Sequence, residues 1–86
     1  MRRVRVLLSA EGRADFEELP LTVQQRVIEV FRRLEAWPNV SGVKPLRNEW
    51  LGCSRIRTGD WRVIFRVVRP DVIVVRIRHR KDVYED

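Results

Sequence analysis

The chain has 86 residues, of which 44% are hydrophobic and 35% are charged. This length and balance indicate a single folded domain spanning residues 1–86 and exclude a disordered chain. The net charge of +6 favours an anionic partner, whereas one cysteine and one histidine leave too few ligands for a typical metal site. We therefore expect no metal and no cofactor.

Hydropathy and cysteine usage bear on the compartment. No apolar run approaches the roughly 20 residues of a membrane span, so we expect no membrane association and a cytoplasmic location. Cys53 is the single cysteine, which excludes an intramolecular disulfide. Its expected role is that of a small hydrophobic strand residue.

The N-terminal part predicts a strand followed by a short helix. Hydrophobic residues alternate with other residues over positions 4–8, which is the period of a strand. Ser9 is the predicted N-cap of a helix that runs through Leu19. Pro20 ends this helix, because proline disfavours a helical conformation in the residue before it.

A second helix follows at once. Thr22 and Gln25 have the spacing of a capping box, in which each side chain satisfies the other's free amide. Five apolar residues fall on one stripe at helical spacing, and we expect them to face the core: Val23, Val27, Val30, Phe31 and Leu34. The short connection between the helices favours an antiparallel helical hairpin.

The C-terminal half predicts three strands after an irregular segment at residues 39–50. They run from Cys53 to Arg57, from Trp61 to Val68 and from Val72 to Ile77, and tight turns make them antiparallel. The predicted fold class is therefore α+β, a small single domain in the order β-α-α-β-β-β. Its helical hairpin packs on one face of a mainly antiparallel sheet, and the opposite face is open and basic.

Arginines at alternating positions of these strands share a face of the sheet. If the last turn centres on Pro70, Arg62 lies opposite Arg78 and Ile64 lies opposite Arg76. Like charges at this separation repel, so such a face suits a polyanion. The pairs that share a face are Arg55 with Arg57, Arg62 with Arg66, and Arg76 with Arg78.

The side chains of this region match the chemistry of a phosphodiester. Guanidinium groups bind phosphate oxygens in bidentate fashion and stabilise the added negative charge of a phosphorane. A metal-free ribonuclease needs in addition a proton acceptor for the 2′-OH and a proton donor for the leaving 5′-oxygen. The candidate residues are Arg55, Arg57, Arg62, Arg78, His79, Arg80, Lys81 and Tyr84. The alternative for the strand arginines, Arg66 and Arg76 included, is a solvated surface.

Two segments, KPLRNEWLGCSRIRTGDWRVIFRV and VIVVRIRHRKDVY, resemble the RelE/ParE superfamily of bacterial and archaeal toxins. The family pattern has a KxL segment, a YRIRxGDYRVxY-like hairpin and a VxxHRxxVY-like ending. The segment SAEGRADFEELP is similar to the family's first helix, so the resemblance covers essentially the whole chain.

The resemblance implies a type II toxin that a cognate acidic antitoxin neutralises, with a higher-order toxin–antitoxin complex as one expected assembly. RelE-like members cut mRNA in the ribosomal A site, with the 2′-OH as nucleophile. The family's catalytic positions fall on Arg55, Arg57, Arg62, Arg80 and Tyr84, with Arg78 as the competitor of Arg80. Further basic residues expected to contact RNA or the ribosome are Lys44, Arg47, Arg66 and Lys81.

One departure leaves the general base open. RelE itself has lysines where this chain has Arg55 and Arg57, and arginine cannot give up its proton in a protein. His79 is one candidate for the base, since imidazole titrates near neutrality. Otherwise water or the ribosome takes the proton.

Two other functions remain open from the sequence. The first is that of a ParE-like inhibitor of DNA gyrase, and the second is that of a catalytically inactive basic module that binds an acidic partner or RNA. Supercoiling and mRNA-cleavage assays separate the first from a RelE-like enzyme. Growth arrest on expression argues against the second.

Overall fold

The chain forms a strand, two helices and four further strands, in a computed structural model that describes residues 3–83. Short 3₁₀ turns at Asn48–Trp50 and Arg80–Asp82 flank the last strands. The elements are β1 (Val6–Leu8), α1 (Ala10–Glu17), α2 (Leu21–Leu34), β2 (Lys44–Pro45), β3 (Ser54–Thr58), β4 (Trp61–Val68) and β5 (Asp71–His79). The predicted order is confirmed, with a two-residue strand added inside the segment that was expected to be irregular.

The strands form one sheet in the order β1-β5-β4-β3-β2. β1 runs parallel to β5, with Val6 opposite Val72 and Leu8 opposite Val74, and all other pairs are antiparallel. The α+β class is confirmed, and the sheet is mixed. The parallel pair follows from the crossover of more than 60 residues between β1 and β5, which a hairpin turn cannot provide.

A β-bulge shifts the register of the β4–β5 hairpin. The predicted pairs Arg62 with Arg78 and Ile64 with Arg76 are both confirmed. Pairs nearer the turn are one residue out of step with these, so that Val75 is the extra residue of β5. The predicted register is therefore produced by a two-residue turn and a bulge together.

α1 packs closely against the edge of β5. Ser9 is the N-cap, as predicted: its Oγ accepts a hydrogen bond from the Gly12 N–H at 3.0 Å. The same hydroxyl donates to the Val75 carbonyl oxygen at 3.1 Å, and the Ser9 N–H donates to the Val74 carbonyl oxygen. A Cβ atom at Gly12 would overlap that Val74 oxygen, so this contact requires glycine.

The start of α2 differs from expectation. The predicted capping box between Thr22 and Gln25 is wrong, because the helix begins before Thr22 and its N-cap is Pro20, which offers no side-chain hydrogen bond. Gln24 instead donates its Nε2 to the Phe16 carbonyl oxygen at 2.8 Å and so links the two helices. Proline still marks the boundary because its fixed φ suits a helix start.

Each face of the sheet has its own core. The apolar stripe of α2 faces the larger core as predicted, with Val27, Val30 and Leu34 buried there. On the opposite face, Leu46, Ile64 and Val83 are buried together beside Trp50, Cys53 and Val75. That face is therefore less open than the alternation of arginines predicts. Within residues 3–83, no helix has the length and apolar character needed to cross a membrane.

Candidate functional site

Three arginines from three neighbouring strands lie in one row. Arg62 of β4 is the direct register partner of Arg57 on β3 and of Arg78 on β5. Directly opposed side chains in antiparallel strands have Cβ atoms about 5 Å apart, so the three guanidinium groups concentrate positive charge. Their strand neighbours Ile56, Val63 and Ile77 belong to the helix-side core, which places the arginines on the opposite face. We call Arg57, Arg62 and Arg78 the arginine row.

The centre of the row is more deeply buried than its end on β3. Arg62 is only 8% exposed, and its Nη1 lies 3.4 Å from the carbonyl oxygens of Gly59 and Trp61. Arg57 is exposed. Both arginines have further interaction partners within the chain, so neither guanidinium group is free.

Arg55 lies two residues before Arg57 on β3 and on the same face of the sheet. Its side chain contacts the backbone of a loop. It is 8% exposed, and its Nη1 donates to the Gly42 carbonyl oxygen at 3.0 Å. Arg33 donates to the neighbouring Ser41 carbonyl oxygen at 2.7 Å, so two arginines hold the loop between α2 and β2. Lys44 is the register partner of Arg55 and is half-buried.

Arg80 lies beyond the end of β5, beside the turn that joins β3 and β4. It follows β5, and its backbone N–H donates to the Asp60 carbonyl oxygen at 2.8 Å. Its Nε lies 3.7 Å from Asp60 Oδ1, with both side chains more than half exposed. The structure thus places Arg80 beside the β3–β4 turn, whereas Arg78 is within the row.

His79 points to the other side of the sheet. Its ring packs edge-to-face on Trp61, with centroids 5.3 Å apart, and Trp61 contacts the helix-side core. Its Nδ1 accepts a hydrogen bond from the Lys81 N–H at 3.3 Å. The structure therefore does not bring the chain's single histidine together with the arginine row.

The remaining predicted contact residues lie outside the row. Arg66 of β4 is exposed. Arg47, which precedes the first 3₁₀ turn, and Lys81, which lies within the second, are exposed as well. Burial raises the pKa of the Cys53 thiol, and the charge of Arg66 opposes this shift only in part. Tyr84, which the resemblance places among the catalytic positions, lies outside the described residues.

Sequence reasoning missed an ion pair at the edge of β5. Asp15 of α1 accepts hydrogen bonds from Arg76 Nε at 2.8 Å, from Arg76 Nη2 at 3.3 Å and from the Ile77 N–H at 2.9 Å. These hydrogen bonds raise the pKa of Arg76 above its ordinary value. Arg76 is thus a link between helix and sheet, and no local pattern marks a contact across 61 residues of sequence.

The arrangement can bind phosphates and stabilise negative charge without moving a proton itself. Arginine stays protonated, and the histidine lies on the other side of the sheet. Among residues 3–83, no group of three or more histidine, cysteine, aspartate or glutamate side chains could hold a metal ion. The geometry therefore supports binding of a polyanion through fixed guanidinium groups.

Comparison with known proteins agrees with this architecture. Residues 6–84 match the family model described as the ParE toxin of the type II toxin–antitoxin system parDE. Toxin RelG of Mycobacterium tuberculosis is 33% identical over 82 residues, which cover 92% of this chain and 93% of the relative.

Solved structures give the same result. A chain of the toxin–antitoxin complex RelBE2 from Mycobacterium tuberculosis superposes with a TM-score of 0.79 at 30% identity, covering 95% of this chain and 97% of the other. The YoeB/ParE toxin from Agrobacterium tumefaciens has a TM-score of 0.74 at 18% identity, covering 88% and 98%, and shares the fold. The resemblance drawn from the sequence is confirmed, and the chain belongs to the ParE toxin family of type II toxin–antitoxin systems, within the RelE/ParE superfamily.

Proposed function

We propose that this toxin is a ribosome-dependent mRNA endoribonuclease that inhibits translation. The observation that carries the proposal is the arginine row, in which Arg57, Arg62 and Arg78 are direct cross-strand partners. Three guanidinium groups in line match successive phosphate oxygens of a single RNA strand. A surface that only needed to be soluble would gain nothing from opposing like charges in this way.

The proposed reaction is an internal transfer at one phosphodiester. The 2′-oxygen attacks the phosphorus, the bond to the 5′-oxygen breaks, and a 2′,3′-cyclic phosphate and a 5′-hydroxyl form. The proton of the 2′-OH passes to water or to a ribosomal group, and the leaving oxygen takes up a proton. The protein contributes preorganised positive charge around the phosphorane, as oxyanion holes do for other reactions.

The positions of the arginines support the roles that we propose for them. Arg57 and Arg62 hold the scissile phosphate, and Arg78 stabilises the transition state from the end of the row. The resemblance places Arg80 among the catalytic positions, but its side chain lies 3.7 Å from Asp60 beside a turn. We therefore assign transition-state stabilisation to Arg78 and binding of the flanking RNA or ribosome to Arg80.

The other predicted residues have supporting roles in this proposal. Arg55 adds charge next to the row while it holds the Gly42 loop. Tyr84 stacks on a base, by the resemblance to the family. RNA flanking the cut, or the ribosome, contacts the outer basic residues Lys44, Arg47, Arg66 and Lys81.

The proposal includes a cognate acidic antitoxin and a cytoplasmic site of action. The similar RelBE2 structure is a toxin–antitoxin complex, and other structures of this fold are complexes such as YoeB–YefM. A chain of net charge +6 associates fast with an acidic partner, and added salt slows that association.

Cleavage of mRNA on translating ribosomes tests the enzyme directly. We expect Arg62→Ala and Arg78→Ala to lower the cleavage rate at least about tenfold, which corresponds to roughly 1.4 kcal/mol of lost transition-state stabilisation each. Arg69→Ala is the matched control, because Arg69 is an exposed arginine at the far turn of the same hairpin. Thermal melts of each variant verify folding. Parent-like cleavage by both Arg62→Ala and Arg78→Ala contradicts the proposal.

A second function has support from the family model, whose description is that of a ParE toxin. A ParE-like toxin would inhibit supercoiling by DNA gyrase and leave mRNA intact. Adding the purified toxin to a supercoiling reaction and to a translation reaction separates the two functions. Expression that leaves growth unaffected would identify an inactive binding module instead.

A further inference from the structure

A cleft lies at the edge of the sheet, where β5 extends beyond its partner β1. The pairing of β1 with β5 ends at Leu8 opposite Val74. On this edge, the last residues of β5 therefore border on α1 and not on a strand. Between the end of α1 and the end of β5 there is a cavity of about 320 Å³. We call this cavity the edge cleft, and the lining residues that matter here are Glu18, Trp61, Arg78, His79 and Asp82.

The walls of the edge cleft combine flat rings with hydrogen-bond acceptors. Trp61 and His79 are half-buried and contact each other edge-to-face, so they offer aromatic surface inside the cavity. Glu18 and Asp82 are exposed, and within residues 3–83 neither side chain has a hydrogen bond or an ion pair. Ring walls with a few convergent polar groups are typical of small-ligand sites.

Arg78 connects the edge cleft to the arginine row. It is the register partner of Arg62 on the row and also lines the cavity. The row and the cavity lie on opposite faces of the sheet, so an RNA strand whose phosphates follow the row reaches the cavity by passing the edge of β5 at Arg78. We infer that the edge cleft binds one base of this RNA strand and prefers a base with an exocyclic amine to uracil. This inference rests on the proposed function, since it requires that the row bind RNA.

Arg76 and Asp15 also line the cleft, but their side chains are hydrogen-bonded to each other, so the preference follows from the carboxylates of Glu18 and Asp82. An ionised carboxylate only accepts hydrogen bonds, and adenine, cytosine and guanine each present an amine donor. Uracil presents a single N3–H donor between two carbonyl oxygens on its pairing edge. A carboxylate that accepts from N3–H is therefore held next to oxygens that repel it, so Glu18 and Asp82 bind uracil less well than a base with an exocyclic amine. Trp61 contributes stacking, which acts on all bases alike.

Fluorescence anisotropy with short RNA tests the inference. The probes are 2′-O-methyl hexanucleotides of adenosine, cytidine or uridine, in which the methyl group blocks the attacking 2′-oxygen. We expect the parent toxin to bind the adenosine and cytidine probes about tenfold tighter than the uridine probe, the size of discrimination that a base-edge hydrogen bond gives. In the double variant Glu18→Gln and Asp82→Asn, this ratio falls to about twofold or less, because amides both donate and accept.

A control and a second variant separate the contributions. Glu17→Gln removes the carboxylate charge of the residue next to Glu18. Glu17 lies outside the cleft, so this variant leaves the ratio unchanged. Arg57→Ala weakens binding of all probes and also leaves the ratio unchanged, because Arg57 lies on the row and not in the cleft.

The outcomes distinguish the inference from the function on which it depends. If the parent binds all probes equally, or if Glu18→Gln with Asp82→Asn keeps the tenfold ratio, the edge cleft does not read a base, although RNA binding by the row stands. If the parent binds no probe and cuts no mRNA on ribosomes, both fail together. Loss of antitoxin binding in the double variant, with base preference unchanged, would assign the cleft to a protein partner and overturn the inference.

Discussion

Replacing Asp15 by alanine should destabilise the protein more than any other single change in α1 that leaves its backbone unaltered. The Asp15 carboxylate receives three hydrogen bonds, two from Arg76 and one from the Ile77 N–H. Its side chain is 19% exposed and that of Arg76 is 33% exposed, so water replaces these bonds incompletely. The substitution leaves a backbone donor of β5 and a partly buried guanidinium group without this acceptor.

The magnitude follows from the types of bond that are lost. Hydrogen bonds to a charged group contribute about 1.5–3 kcal/mol each, and an unsatisfied buried donor costs about 1–3 kcal/mol. Arg76 recovers part of its loss through hydration, so we expect a decrease of about 3 kcal/mol in the free energy of unfolding. For a domain of this size, that corresponds to a drop of about 12 °C or more in Tm.

Chemical denaturation with urea measures the effect, and two variants serve as references. Asp15→Asn keeps an acceptor for the Ile77 N–H and should lose only about 1–1.5 kcal/mol. Glu17→Ala on the exposed side of α1 should stay within about 0.5 kcal/mol of the parent. A double-mutant cycle with Arg76→Met should give a coupling of at least about 1 kcal/mol. If Asp15→Ala unfolds at the same urea concentration as Glu17→Ala, the reasoning is wrong.

Three further predictions concern other contacts. Gly12→Ala should destabilise by about 1–3 kcal/mol in the same urea assay, because the added Cβ overlaps the Val74 carbonyl oxygen, and a neutral result would show that α1 shifts freely. Arg55→Ala should lower stability and mRNA cleavage together, since the side chain is buried and bonded to Gly42; an unchanged melting temperature would contradict this. The pKa of Cys53 is raised by burial, so its alkylation by iodoacetamide should require a higher pH in the native protein than in urea, and equal profiles would refute that. For the same reason the thiol's contribution to stability decreases as pH rises above the unfolded pKa, because the folded state then retains the proton that the unfolded state loses.

The hairpin and the row of arginines could be predicted because they depend on local patterns. β4 has the predicted bounds, Trp61–Val68, since alternating residues and flanking turns determine a strand of a hairpin. The pairing of Arg62 with Arg78 follows from that hairpin as well. The sheet order does not follow, because the parallel contact of β1 with β5 joins segments more than 60 residues apart.

The geometry of the candidate site could be predicted only where it depends on local alternation. Alternation already separates His79 from Arg78, and this period could have removed the histidine from the row at once. The position of Arg80 depends on Asp60 and on a 3₁₀ turn, which no periodicity reveals. The edge cleft depends on where β1 ends beside β5, a property of the assembled sheet.

The bulge at Val75 has a consequence for how sequences of this family can diverge. It sets the phase of the last four residues of β5 relative to the rest of the strand. If Val75 instead paired with Ile64 in a regular ladder, every later residue of β5 would shift by one position, which would exchange the faces of Ile77 and Arg78, burying a charge and exposing an aliphatic side chain. The toxin would lose one end of its arginine row while every arginine stayed in the sequence. Loss of the Val75 codon, by contrast, would remove the bulge and leave Arg78 opposite Arg62. In alignments of such chains, a gap of one residue at this position is therefore compatible with an intact arginine row.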